Sequence, residues 1–233
     1  MDLLTTQEWQ AISLSLQVAL WATLASLPAG IAVAYVLARF QFPGKWLLNL
    51  LVHLPLVLPP VVTGYLLLIT FGTRGWLGSL LADIGIVFAF RWTGAALAAA
   101  IMAFPLMVRA IRLSIEAVDP GLEQAAATLG ASPWRVFTSI TLPLISPGII
   151  AGAVLAFAKA IGEFGATITF VANIPGETQT IPSAVYAFLQ VPGAEDTAVR
   201  LVVISIIIAF TALLISETVA TRAARRVSGV TNA

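Results

Sequence analysis

Lys159 and Glu163 have the clearest potential for chemistry in this 233-residue chain, because they are the only charges in the apolar run from Pro147 to Ala172. An ionisable group at membrane depth is costly enough to be paired, to face a bundle interior or to touch a water-filled path. Four residues apart on a helix, the two side chains sit one turn from each other. Two readings follow. The pair neutralises itself or links helices, or it lines a path on which Lys159 attracts an anion. In the second reading Glu163, Phe164, Gly165 and Thr167 form a constriction, with Phe164 closing it and Gly165 permitting a close helix crossing. A single histidine, His53, and scattered carboxylates do not assemble a metal site, so no metal ligands and no catalytic group are expected. No G-x-x-x-x-G-K-[ST] phosphate loop occurs, since Gly44-Lys45 lacks both the preceding glycine and the hydroxyl residue. ATP chemistry is therefore expected on another chain.

The elements that position these residues must be membrane helices. With 59% hydrophobic and 10% charged residues and a mean hydropathy of +0.98, lipid has to be the main solvent. A span takes about 20 apolar residues, which leaves room for five or six helices in one all-α transmembrane domain, 1–233, with no separate soluble domain. A net charge of +1 and the lack of an aromatic-rich basic patch argue against nucleic acid. Zero cysteines excludes disulfides and leaves the compartment open.

Five apolar runs separate: Ala11 to Leu37, Trp46 to Phe71, Trp92 to Ile111, Pro147 to Ala172, and Val199 to Ala220. The first follows Asp2 and Glu8 without a basic flank and exceeds a signal-peptide core, so a retained helix is expected. Gly75 to Phe90 is interrupted by Gly78, Asp83 and Gly85, which favours an interfacial or re-entrant helix over a sixth span. Pro55, Pro59 and Pro60 should bend or unwind the second span near a cavity, because proline lacks an amide donor and clashes with the preceding turn. The alternative is a fixed kink, with His53 bonded to a freed carbonyl. Gly148 and Gly152 form a G-x-x-x-G better suited to packing within one subunit than to a dimer seam.

If five spans alternate, Arg39, Lys45, Arg109, Arg112, Arg135, Arg222, Arg225 and Arg226 share one side, and Arg74, Arg91 and Arg200 the other. The positive-inside rule then puts the N-terminus outside, the C-terminus in the cytoplasm and the loop 114–146 on the cytoplasmic face. Asp2, Glu8, Asp83, Glu177, Glu195 and Asp196 fall outside, in weak agreement. The external loop 173–199 contains an apolar stretch, Ala184 to Leu189, too short to cross lipid. A surface helix is expected there, serving as a docking platform or lying at the interface through Tyr186 and Phe188.

Within 114–146, Asp119 can cap a helix with Pro120 at its first position, and Gly130 can end it at positive φ. Ser132 and Pro133 repeat the signal for a second helix through Arg135, Val136, Phe137 and Ile140, which Pro143 is expected to stop. Ala125 and Ala126 keep the first helix slim, while Leu129, Trp134 and Phe137 offer apolar anchors typical of interfaces. A helix pair lying on the membrane is the plainer alternative.

The segment EQAAATLGASPWRVFTSITLP, from Glu123 to Pro143, resembles the EAA loop by which ABC importer permeases grip their ATPase. Ala125, Ala126, Gly130, Ile140, Leu142 and Pro143 match that pattern, while Gln124 stands at the usual Glu and Glu123 lies one residue earlier. Asp119, Ala131, Trp134 and Phe137 join the implied coupling surface. His53 to Leu68, FPLMVRAIR at Phe104 to Arg112, AIGEFGATITF at Ala160 to Phe170 and NIPGETQTIPSAVY at Asn173 to Tyr186 look like molybdate ABC transporter permeases. The resemblance covers nearly the whole chain.

It implies a type I importer fold, a second copy of the chain, two cytoplasmic ABC ATPases on which ATP and Mg act, and an external molybdate-binding protein docked on 173–199. The setting implied is the bacterial cytoplasmic (inner) membrane, the substrate molybdate with tungstate as a second. GEFGA is also similar to sulfate and thiosulfate permeases, which are the alternative. A secondary transporter would need buried coupling-ion ligands and internal repeats, neither of which the five unlike spans show. A non-transporting membrane anchor or assembly factor is the remaining rival.

Overall fold

The computed structural model describes residues 4–227; Asp2, and the side chains of Arg222, Arg225 and Arg226, lie outside the described residues. All regular structure among those residues is helical: α1 (Thr6–Arg39), α2 (Lys45–Val57), α3 (Pro60–Phe71), α4 (Trp76–Asp83), α5 (Trp92–Glu116), α6 (Pro120–Thr128), α7 (Pro133–Val136), α8 (Leu142–Ile161), α9 (Gly165–Val171), α10 (Ile181–Phe188) and α11 (Glu195–Val227). A π-turn, Phe137–Thr141, joins α7 to α8. Four helices are long and apolar enough to cross a membrane, and five spans result if the bent pair α2 and α3 counts as one.

Helix α5 forms the centre, flanked by α1 and α8. Its buried alanines, including Ala95, Ala98, Ala99 and Ala103, let neighbouring backbones approach as small residues do in lipid, where packing rather than the hydrophobic effect drives helix association. Gly148 and Gly152 are the matching notches on α8. A Cβ at Gly148 would lie 2.2 Å from Ser114 Cβ, and one at Gly152 3.1 Å from the Met107 carbonyl oxygen. This G-x-x-x-G therefore packs within the subunit.

Polar contacts fasten the two ends of the bundle. At one end Arg200 Nε donates to Glu8 Oε1 at 2.9 Å, Gln7 Nε2 to Gln179 Oε1 at 2.9 Å, and the Ile181 amide to Ser15 Oγ at 2.7 Å. These bonds gather the starts of α1 and α11 with α10. At the other end Arg39 Nη2 donates to Glu123 Oε1 at 3.1 Å, and Arg112 Nη1 to Asn49 Oδ1 at 3.1 Å. They join the end of α1 to α6 and the start of α2 to the end of α5. The first end holds the segment 173–199, the second the segment 114–146.

Three expectations need correction. The fourth apolar run is not one helix, since α8 stops at Ile161 and α9 restarts at Gly165. The carboxylate of Glu163 accepts the Ala166 amide at 3.0 Å and so opens a new helix inside the run. Pro143 does not stop a helix either, because Pro133–Ile161 runs on as one element. The Leu142 amide reaches back five residues to the Phe137 carbonyl, and that wider turn relieves the clash a proline ring makes with the preceding turn. His53 Nδ1 does bond a backbone carbonyl, at 2.8 Å, but it is Asn49's, whereas the carbonyl that Pro55 leaves without its amide is Leu51's.

The second run breaks as its prolines require. Helix α2 ends at Val57, α3 begins at Pro60, and their axes differ by 113°. The stretch Gly75 to Phe90 holds only the eight-residue α4, about 12 Å long, too short for a sixth span. Helix α10 starts at Ile181, earlier than the apolar stretch suggested, and buries Ile181 and Ala184 against α1 and α11 while Tyr186 stays exposed.

Candidate coupling knob and membrane constriction

The first site is the knob of α6, α7 and the π-turn. Asp119 caps α6, its Oδ1 accepting the Gly121 amide at 2.8 Å. Gly130, at φ +87°, ends it: the Gly130 amide donates to the Ala127 carbonyl at 3.0 Å and the Ala131 amide to the Ala126 carbonyl at 3.1 Å. This left-handed closure satisfies carbonyls a helix end leaves open, and glycine adopts it without steric cost. The chain turns at once into α7, where Ser132 Oγ accepts the Arg135 amide at 3.4 Å.

The two faces of the knob differ. Outward lie Gln124, Ala125, Leu129 and Trp134, with Leu129 88% and Trp134 72% exposed. Phe137 and Leu142 turn toward α1 and line, with Pro28, Ile31, Tyr35 and Trp134, an apolar groove of about 660 Å³. Phe137 sits edge-on to Tyr35 at 5.3 Å and 5.9 Å from Trp134. Ala126, Ala131 and Ile140 are half-buried, and Pro143 is exposed. Glu123 faces inward, where its Oε1 accepts from both Arg39 Nη2 at 3.1 Å and Thr141 Oγ1 at 2.6 Å.

The second site is the break between α8 and α9. Lys159 Nζ donates to Glu163 Oε2 at 2.7 Å, so the pair forms at the spacing of one turn, but across the end of α8 rather than along one helix face. Glu163 is almost wholly buried, with 1% of its side chain exposed, and Lys159 keeps part of its surface open. With Oε1 occupied by the Ala166 amide, the carboxylate has both a counter-charge and a backbone donor, the conditions under which a buried charge is tolerated. Thr167 Oγ1 donates to the Phe164 carbonyl at 2.8 Å, and the Phe164 ring lies 5.3 Å from that of Tyr186 on α10.

Helix α3 crosses α9 here without room for side chains. A Cβ at Gly165 would meet Pro60 Cβ at 2.7 Å, and one at Gly64 would meet the Ala166 carbonyl oxygen at 2.5 Å. Beside Gly64, Thr63 Oγ1 is buried and makes no hydrogen bond among the described residues. Pro60 therefore joins Lys159, Glu163, Phe164, Gly165 and Thr167 at one place, with Pro59 capping α3 just before it. Pro55 does not join them. It lines a separate apolar groove of about 750 Å³ with Trp21, Trp92 and Phe104.

Four contributors escape sequence reasoning: Arg39, Thr141, Tyr35 and Gly64. Arg39 is visible as a basic residue closing a helix and Gly64 as a glycine inside a span, but their partners lie far along the chain.

Residues 26–229 match the family described as "Binding-protein-dependent transport system inner membrane component". The chain is similar to the molybdenum transport system permease protein ModB of Escherichia coli (strain K12), 64% identical over 216 residues covering 92% of this chain and 94% of that protein. The sulfate transport system permease protein CysT of the same strain is more distant, 36% identical over 86% of this chain and 72% of that protein. Among solved structures, a bacterial alginate ABC transporter in complex with its alginate pentasaccharide-bound periplasmic protein shares the fold, with a TM-score of 0.75 at 19% identity over 95% of this chain and 81% of that one. An all-helical bundle with a capped, two-helix knob at one end, in a sequence matched over nearly its full length, belongs to the family of binding-protein-dependent transport system inner membrane components.

Proposed function

We propose that this chain is the permease subunit of an ATP-driven importer for molybdate, with tungstate as a second substrate. The observation that carries the substrate is the likeness to a molybdenum permease, which far exceeds that to the sulfate permease. Two copies of the chain enclose a path at their interface, two ATPase subunits bind from the cytoplasm with ATP and Mg, and a loaded binding protein docks from outside. The setting is the bacterial inner membrane, with the N-terminus outside and the C-terminus in the cytoplasm. Arg39, Lys45, Arg109, Arg112 and Arg135 at the knob end, against Arg74, Arg91 and Arg200, support this orientation.

In this reading the exposed face of Gln124, Ala125, Leu129 and Trp134 enters the ATPase surface, with Asp119, Ala126, Gly130 and Ala131 setting its shape. Phe137, Ile140, Leu142 and Pro143 carry its motion into α8. That helix carries Lys159 and stops at Ile161, two residues before Glu163, so a displacement of the knob reaches the α8–α9 break along one rigid element. Phe164 closes the path against Tyr186, Gly165 holds the crossing with Pro60, and Lys159 attracts the dianion. External residues 173–199, held to α1 by Gln179 and Ile181, form the platform for the binding protein.

ATP hydrolysis by the reconstituted complex with molybdate-, tungstate- or sulfate-loaded binding protein tests the reading. Stimulation by molybdate and tungstate is expected, and stimulation by sulfate alone would overturn the substrate while keeping the importer.

A further inference from the structure

Glu123 turns away from the exposed face of the knob, toward Arg39 and Thr141. We infer that Glu123, Arg39 and Thr141 form a positioning latch that makes the knob, α1 and α8 move as one body, an inference that rests on the importer reading above. A single carboxylate oxygen carries the whole junction: Glu123 Oε1 accepts from Arg39 Nη2 at 3.1 Å and from Thr141 Oγ1 at 2.6 Å. Arg39 is the last residue of α1, and its Nη2 also donates to the Val118 carbonyl at 3.4 Å, where α5 gives way to α6. Thr141 is fully buried in the π-turn that starts α8. The end of α1 and the start of α8 thus converge on one atom of α6, and Arg39 ties the end of α5 to the same junction.

Covalent continuity alone would transmit poorly here. Between α6 and the continuous element Pro133–Ile161 the chain passes Gly130 at positive φ, where a glycine backbone bends more easily than a straight helix. The latch bypasses that hinge, because Glu123 reaches Thr141 directly across it. It also recruits α1, to which the backbone of the knob has no short route. The Phe137 ring against Tyr35 runs parallel to it as an apolar contact. Both charged side chains are mostly shielded, at 18% and 19% exposure, so the pair is screened less than a surface pair. Arg39 Nε is buried and donates to nothing among the described residues, which leaves the guanidinium a free donor for a second arrangement of the same three groups.

The test is the number of anions transported per ATP hydrolysed by the complete complex in proteoliposomes. It compares wild type, Glu123→Gln, and the double variant Arg39→Met with Glu123→Gln, which removes both charges and strands neither. The double variant is expected to assemble with the ATPase and melt near the wild type, since replacing a shielded pair is often neutral for stability. Its anions per ATP should fall about 5-fold or more, the lower edge of typical coupling energies. Exchanging the charges, Arg39→Glu with Glu123→Arg, should recover part of the loss. An unchanged ratio in a double variant that assembles normally would overturn the latch. So would a fall in melting temperature that accounts for all lost transport while the ratio stays constant. If the wild-type complex shows no anion-dependent hydrolysis, the importer reading fails instead, and the two failures are distinguishable.

Discussion

The two ends of the bundle solve the same problem, fastening α1 to a distant loop, in opposite ways. At the end holding 173–199, Glu8 is fully buried and takes Arg200, which is 43% exposed, while Gln179, Thr180 and Ser183 are buried among their own hydrogen bonds. At the knob end the Arg39–Glu123 pair turns inward, while Asp119 and Arg135 stay exposed beside the large apolar side chains of Leu129 and Trp134, which turn out. Apolar anchors displayed on a short capped knob suit the ATPase partner proposed for this end, because such side chains gain most when a second surface covers them. The other end also exposes apolar side chains, Tyr186 and Leu189 among them, but its buried polar groups bond to one another across α1, α10 and α11.

The contrast breaks most visibly at Arg200. Arg200→Ala leaves the Glu8 carboxylate without its counter-charge, at a cost toward the lower end of about 3–5 kcal/mol because the arginine is partly solvated. A lowered melting temperature of the purified protein, with ATPase affinity unchanged, is the expected outcome. Trp134→Ala should do the reverse. It removes an exposed anchor, so ATPase affinity drops by about 2 kcal/mol as for interface hot spots, roughly 30-fold, while melting hardly moves. Titrating the ATPase onto each variant measures both, and equal effects of the two substitutions on affinity would erase the distinction between the ends.

What the sequence made legible was local. Asp119, Ser132, the prolines after them and Gly130 announce the knob because caps and left-handed closures are decided within a few residues. The Lys159–Glu163 pair is equally local, as is the break near Pro59. The end of α8 was hidden because the apolar run resumes after Glu163, and the break depends on that side chain accepting a backbone amide. Continuation through Pro143 was hidden for a related reason, since a π-turn has no strong residue signature and removes the clash on which the expected stop relied. Glu123's inward direction was least legible of all. It is set by Arg39, 84 residues away, and by a threonine across a hinge.

The chain contains no cysteine, so single-cysteine labelling in sealed vesicles tests the central claim directly. Leu129→Cys on the knob and Leu189→Cys on the other end, both well exposed, are each treated with a membrane-impermeant thiol reagent, with and without ATPase. The account predicts that Cys at 129 reacts only from the cytoplasmic side and is protected when the ATPase binds, while Cys at 189 reacts only from outside and is indifferent to it. Reaction at 129 from outside, or reaction there that bound ATPase leaves unchanged, would contradict the assignment of the knob as the coupling surface.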